Sequence, residues 1–273
     1  MIVDVHNHVW PDAVARRALG GNVPDMPLFG DGTVAGLAAA QDEAGVDRSV
    51  CLAVANHPSQ VAAANRFVGS LDRSRFVPFG TVHPGLSPAE NVAHLEDNGV
   101  QGIKLHPVFG GYRLDDPDLL RVLAAVEGRW PVIVHVGDGG GSDGSACTPA
   151  MLAGVARALP GLTVIACHLG GYHRLDEAHA ALDDVDVYVD TSWPPSLGTL
   201  PPGHVRDVVR RRGATRVLFA SDWPTASVAA EVAAVRALGL ADDDVAAVLG
   251  GNACRLLGLG GVPVPASGQG PGG

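Results

Sequence analysis

The chain opens Met1-Ile2-Val3-Asp4-Val5-His6-Asn7-His8. A short apolar run with β-branched residues reads as a strand, and side chains along a strand alternate faces. Asp4, His6 and His8 then share one side, while Val3, Val5 and Asn7 share the other. Two imidazoles held two residues apart can close on one metal ion, because zinc and similar divalent ions accept imidazole nitrogen and carboxylate oxygen. Chance pairing is the plain alternative in a chain with 11 histidines. The later strands decide between the two.

Comparable runs recur at regular intervals. Ile2–His8 is followed by Ser49–Val54, Phe76–His83, Gly102–His106, Val132–Val136, Thr163–His168, Val185–Thr191 and Val217–Asp222. Between them lie segments with helical spacing: Val34–Ala44, Ser59–Leu71, Pro88–Asn98, Asp118–Glu127, Pro149–Leu159, Leu175–Leu182, Gly203–Arg212 and Val228–Leu238. Short buried strands alternating with helices predict a parallel sheet, and eight such units predict an α/β fold of the (β/α)8 TIM-barrel type. A doubly wound open sheet is the alternative. Ser87-Pro88 and Thr148-Pro149 read as an N-cap followed by proline at the first helical position. Gly45, Gly99, Gly213 and Gly239 stand where helix C-caps are expected.

An added helical pair, about Asp242–Gly250 and Asn252–Leu257, follows the eighth unit. A single domain over residues 1–259 is expected, with a Gly- and Pro-rich, disordered tail over 260–273. A chain of 273 residues, 47% of them hydrophobic, can build such a core without disulfides. Cys51, Cys147, Cys167 and Cys254 form no Cys-x-x-Cys pair, and Cys51, Cys167 and Cys254 read as small buried thiols.

The formal net charge of −10, from 19 basic and 29 acidic residues, argues against nucleic acid as a partner. Arg210-Arg211-Arg212 is a basic run best read as a solvated helix end. No basic, apolar leader and no run of 18 apolar residues is present, so a cytoplasmic protein with no membrane association is expected. Three connections are long: Val9–Gly32 with Trp10-Pro11, the glycine-rich Gly137–Cys147, read as a mobile loop over the barrel mouth, and Ser192–Pro202 with Trp193-Pro194-Pro195.

Catalytic groups of such barrels sit at the C-terminal ends of the strands. Six of the eight expected strands end in a side chain that can bind metal or carry a proton: His6 and His8, His83, Lys104 and His106, His135, His168, and Asp222. One buried histidine is usually structural. Five histidine-bearing strands at matching positions fit a site far better.

These residues carry a resemblance. Asp4-x-His6-x-His8, Gly102-Ile-Lys104-Leu-His106-Pro, Ile133-Val-His135, Cys167-His168-Leu-Gly-Gly171 and Phe219-Ala-Ser-Asp222-Trp-Pro are similar to motifs of the amidohydrolase superfamily. The chain most resembles the amidohydrolase-related (amidohydrolase 2) group that includes aminocarboxymuconate semialdehyde decarboxylase-like enzymes. The ending Gly251-Asn-Ala-Cys-Arg-Leu-Leu-Gly258 resembles that group's terminal helix, and the likeness runs from residue 2 to about 259.

The resemblance implies that His6, His8, His135 and Asp222 hold one divalent metal, expected to be Zn2+, with Mn2+ or a second ion as alternatives. It implies that His168 is an acid/base residue, or a further ligand beside a second ion. Asp222 can bind metal and accept a proton from water. Asp4 reads as a support residue of the first strand. In binuclear branches of the superfamily a fourth-strand lysine is carbamylated, and Lys104 is either that residue or an unmodified lysine, facing the substrate's carboxylate or salt-bridged in the barrel. His106, Trp10, Trp193 and Trp223 are expected to wall the substrate pocket, with packing as the plain alternative for the tryptophans. Arg113 and Arg174 are candidate carboxylate clamps, and Asp190 a candidate support for a ligand histidine. The expected activity is hydrolysis of a small-molecule amide, lactone or related C–N or C–O bond by metal-activated water. Non-oxidative, metal-dependent decarboxylation of a small carboxylic acid is the alternative. The shortness of the chain favours the hydrolase, since decarboxylases of the group tend to be longer. The sequence leaves the oligomeric state open, with homodimers common in the resembling group.

Overall fold

The computed structural model describes residues 1–22, 26–139 and 144–260. The tail beyond residue 260, and residues 140–143 of the glycine-rich connection, lie outside the described residues. Eight parallel strands follow one another around a single sheet in chain order: β1 (Val3–Asn7), β2 (Arg48–Leu52), β3 (Phe76–Thr81), β4 (Gly102–Leu105), β5 (Val132–Val134), β6 (Val164–Ala166), β7 (Tyr188–Asp190) and β8 (Val217–Leu218). The ring closes where the segment after β8 meets β1. Val5 N–H donates to Phe219 O (3.0 Å), Asp222 N–H to His6 O (2.9 Å) and His8 N–H to Trp223 O (2.8 Å). This is the expected TIM barrel.

Helices connect the strands: α1 (Asp12–Asn22), α2 (Val34–Ala44), α3 (Val61–Gly69), α4 (Pro88–Glu96), α5 (Pro107–Gly110), α6 (Pro117–Val126), α7 (Pro149–Ala158), α8 (Leu175–Leu182), α9 (Pro202–Arg212) and α10 (Val228–Arg236). The added C-terminal pair, α11 (Asp242–Ala246) and α12 (Asn252–Leu257), is joined by a π-helical turn over Ala247–Gly251. Ser87 and Glu90 form a capping box on α4, and the Thr148 hydroxyl accepts from Met151 N–H on α7. The expected helices lie within a few residues of the observed ones. Two helices escaped the sequence reading. In α1, Arg16-Arg17 and Gly20-Gly21 blur the apolar stripe, and α5 has only four residues.

The core has two layers. Val3, Val5, Val50, Leu52, Val77, Phe79, Ile133, Ile165 and Leu218 fill the barrel. A larger cluster, with Leu37, Leu95, Leu119, Val205 and Val232, lies between sheet and helices. The barrel filling fixes one glycine. A Cβ on Gly102 would stand 2.3 Å from the Phe79 ring, so β4 leaves that volume to the aromatic side chain. Cys51, Cys147 and Cys167 are buried, whereas Cys254 is half-buried beside Met1. No helix among the described residues is long and apolar enough to cross a membrane.

Candidate metal centre and active-site cavity

The first strand does more than extend. Its register with β2 shifts between Asp4 and Asn7, and the strand ends at Asn7, so His8 lies just beyond regular pairing. The Asp4 carboxylate accepts from His6 N–H (3.1 Å), Ser221 N–H (3.0 Å) and the Ser221 hydroxyl (2.5 Å). It ties β1 to the segment after β8, which is a support role. Burial pushes its pKa up to about 7.

That tie brings three of the proposed ligands together. The Nε2 atoms of His6 and His8 are 3.1 Å apart, and Oδ1 of Asp222 is 3.2 Å from the first and 3.5 Å from the second. Donors about 2.0–2.2 Å from a shared ion are separated by roughly 3.0–3.5 Å in tetrahedral or octahedral geometry. The triangle therefore fits a divalent cation. His6 Nδ1–H donates to Asp190 Oδ2 (2.9 Å), which leaves the Nε2 lone pair facing inward. Burial holds both imidazoles well below their usual pKa, so they are neutral and able to ligate. Burial also pushes Asp222 up to about 7, against the pull of Lys104. Asp222 has φ 64°, an unusual conformation for a residue with a side chain, and its carbonyl accepts from the Thr225 hydroxyl (2.6 Å).

His135 stands apart from this triangle. Its Nε2–H donates to the Asp138 carbonyl (2.9 Å), and its Nδ1 lies 3.0 Å from His168 Nε2. With the His135 Nε2 proton given to Asp138, the network assigns His168 Nε2–H as donor to His135, while the Ser192 hydroxyl donates to Asp190 Oδ1 (2.6 Å) and lies 2.9 Å from His168 Nδ1. Burial, followed by the charge of Lys104, lowers the pKa of His135 to about 3. Asp190 supports this chain too, since its Oδ1 accepts His168 N–H (2.8 Å) and Ser192 N–H (3.1 Å). Ser192 was missed in the sequence; its period-two spacing from Asp190 was the available signal.

A cavity of roughly 690 Å³, counted with its open mouth, sits over these groups. His6, His8, His106, His135, His168 and Asp222 form its polar side, and Trp10, Leu19, Val54, Phe109, Tyr172, Pro194 and Pro224 much of the rest. Two expected wall residues, Trp193 and Trp223, and the expected substrate-facing Lys104 are not among the lining residues. Trp193 packs behind the mouth against Tyr172 and His173, and Trp223 lies buried against Gly30. Lys104 is buried below, its Nζ 3.2 Å from His6 Nε2 and 3.4 Å from Cys167 Sγ. The arginine clamps are otherwise engaged, Arg174 with Asp138 and Glu177 and Arg113 with Asp115. His83 Nε2–H donates to the Gly110 carbonyl (3.1 Å), a structural bond, while its Nδ1 accepts from Gly85 N–H.

Closed barrel, strand-end histidines and apolar mouth define a TIM-barrel enzyme with its chemistry at the C-terminal face of the sheet. The chain belongs to the amidohydrolase family, whose sequence pattern it matches over residues 3–259. No curated protein sequence matches it. Among solved structures, a TIM-barrel protein from Bordetella bronchiseptica is similar at 21% identity and a TM-score of 0.71, over 94% of this chain and 99% of its own. 5-Carboxyvanillate decarboxylase from Sphingomonas paucimobilis is similar at 18% identity and 0.70, over 94% and 98%. A dihydroxybenzoic acid decarboxylase from Polaromonas sp. JS666, with bound manganese and the inhibitor 2-nitroresorcinol, is similar at 16% identity and 0.71, over 94% and 97%. At these identities the likeness is one of fold.

Proposed function

We propose that this chain is a metal-dependent decarboxylase of a small, flat carboxylic acid. The observation that carries the reading is the cavity's division: a polar face with three convergent donors against walls of rings, prolines and aliphatic side chains. Loss of carbon dioxide disperses the charge of a carboxylate, and apolar walls disfavour the concentrated charge of the ground state. The two solved decarboxylases of similar fold support the same direction. One of them aligns over nearly its whole length, so the shortness of this chain does not favour a hydrolase.

His6, His8 and Asp222 would hold the cation, and His135 is the fourth candidate. The ion, when bound, supplies a Lewis-acidic anchor for the substrate's oxygens. Asp190 orients His6 and steadies the backbone at His168. His168, which lines the cavity, would turn its Nε2–H from His135 to the substrate carbon as the carboxylate leaves, so that the acid anion plus a proton becomes carbon dioxide and the substrate with hydrogen in the carboxylate's place. Water entering the open cavity would return the proton to His168, which Ser192 steadies with its hydroxyl 2.9 Å from Nδ1. Trp10, on the mouth side of His8, offers a flat wall, with ring centroids 6.0 Å apart.

Hydrolysis is the second reading. It would draw on the same donors, and Asp222, with its pKa near 7, would serve it as base. Protein loaded with Mn2+ or Zn2+ and supplied with aromatic carboxylates, lactones and amides decides between them. Release of carbon dioxide, lost in His168→Ala, is the expected result; turnover of lactones or amides alone would replace this reading with the second.

A further inference from the structure

His106 is the first residue after β4 and caps the short helix α5. Its Nδ1 accepts from Phe109 N–H at 3.4 Å, so that nitrogen carries a lone pair and the ring's proton resides on Nε2. Two rings clamp the imidazole. Phe109 stacks on one face at 3.8 Å and 6°, and His135 on the other at 4.1 Å and 12°. The side chain is 8% exposed and lines the cavity. Among the described residues no group accepts from Nε2, and with the ring lining the cavity that nitrogen opens to it. β4 stands four strands from β8 around the ring, which sets His106 across the mouth from Asp222. The sequence had made it only a wall residue.

We propose that His106 is a specificity-determining residue, presenting one fixed Nε2–H donor to an oxygen on the edge of a flat substrate distal to its carboxylate. The inference rests on the reading of the cavity as a site for small carboxylic acids, with the carboxylate at the His6–His8–Asp222 side. A donor locked between two rings cannot turn to accept, so it favours a hydroxyl, methoxyl or keto oxygen over a methyl or an ammonium group at that position. The same lock makes the preference one of binding, since the bond to the distal edge changes little as the carboxylate departs.

The test uses Mn2+-loaded protein, with binding read by calorimetry. The probes are benzoate, the 3- and 4-hydroxybenzoates, and the 3- and 4-methylbenzoates. Benzoate tests the reading of the site, and the hydroxy-to-methyl ratio tests His106. Wild type is expected to bind benzoate and to prefer one hydroxy isomer about tenfold over its methyl counterpart, the size of one good hydrogen bond. In His106→Phe, which keeps a flat ring for the stack, the ratio should fall to near one while the benzoate Kd stays within about threefold. His106→Gln, which keeps a donor, should retain a clear preference. An unchanged ratio in His106→Phe overturns the proposal, as does a wild type indifferent to the hydroxyl. A wild type that fails to bind benzoate removes the reading and the proposal together. Should His106→Phe not fold, the wild-type ratio and His106→Gln decide.

Discussion

At the scale of single residues, Asp190 has the widest reach in the site. One oxygen takes the Nδ1 proton of His6 at 2.9 Å, and the other takes the backbone N–H of His168 at 2.8 Å. A carboxylate accepts only, so it fixes the His6 tautomer and leaves Nε2 as the inward lone pair. Asp190→Asn can present an N–H to Nδ1 instead and so move the ring proton to Nε2. The expected consequence is a 10- to 100-fold weaker affinity for Mn2+ or Zn2+, the usual cost of losing a partner behind a ligand. Metal titration of the purified variant checks it, with circular dichroism showing that the barrel persists. Wild-type affinity in Asp190→Asn would take His6 out of the ligand set. Lys104 supports the same picture, since its ammonium can donate to the His6 Nε2 lone pair from 3.2 Å.

At the scale of elements, two contacts decide how the barrel wall is built. Gly102 lets β4 pass beside the Phe79 ring, and an added Cβ would fall 2.3 Å from it. Gly102→Ala is expected to cost about 1–3 kcal/mol as an overpacking change, seen as a lower denaturant midpoint. Phe79→Leu in the same chain should recover part of that loss, because the two changes share one contact. If the double variant is no more stable than the sum of the two single losses, the steric account is wrong. The second contact joins α10 to the connection after β7. The Glu231 carboxylate accepts from the Ser196 hydroxyl (2.6 Å) and Leu197 N–H (2.9 Å), which anchors the segment carrying Trp193 and Pro194. Burial raises its pKa above the ordinary 4.5, with both hydrogen bonds pulling the other way. The folded chain therefore holds this proton more tightly than the unfolded one. Its stabilising share is complete below pH 4.5 and fades as pH rises through the higher, folded value. Glu231→Gln cannot lose that proton, so the melting temperature of the variant relative to wild type should climb as pH rises above the ordinary 4.5 and through the folded value. A difference that stays flat across that range would mean that Glu231 does not titrate in the folded wall.

At the scale of the whole molecule, the sequence was most legible where local pattern and global fold coincide. Eight alternations of short apolar runs with helical segments dictate a closed parallel sheet, and polar residues at the run ends dictate where the site must lie. What depends on loop paths was not legible. His135 is turned toward the Asp138 carbonyl by a connection that local pattern does not describe. Trp193 and Trp223 flank the mouth in the sequence yet are buried behind it, because other chain segments cover them. Arg174 looked free to clamp a carboxylate until Asp138, 36 residues away, paired with it. The placement of the donors has one further consequence. His6 and His8 belong to the first strand and its end, and Asp222 follows the last strand, so the triangle straddles the seam where the ring closes. A cation held there joins the two ends of the barrel and is present only when they meet, so its binding free energy adds to folding. Loading at 100 times Kd would contribute about 2.7 kcal/mol. In a chain of this size that raises the melting temperature by roughly 5 °C or more, and chelation should reverse it. The gain should vanish in His6→Ala, whose lost imidazole opens the triangle. A melting temperature in wild type indifferent to Mn2+, Zn2+ and chelator alike would show that no ion bridges the seam.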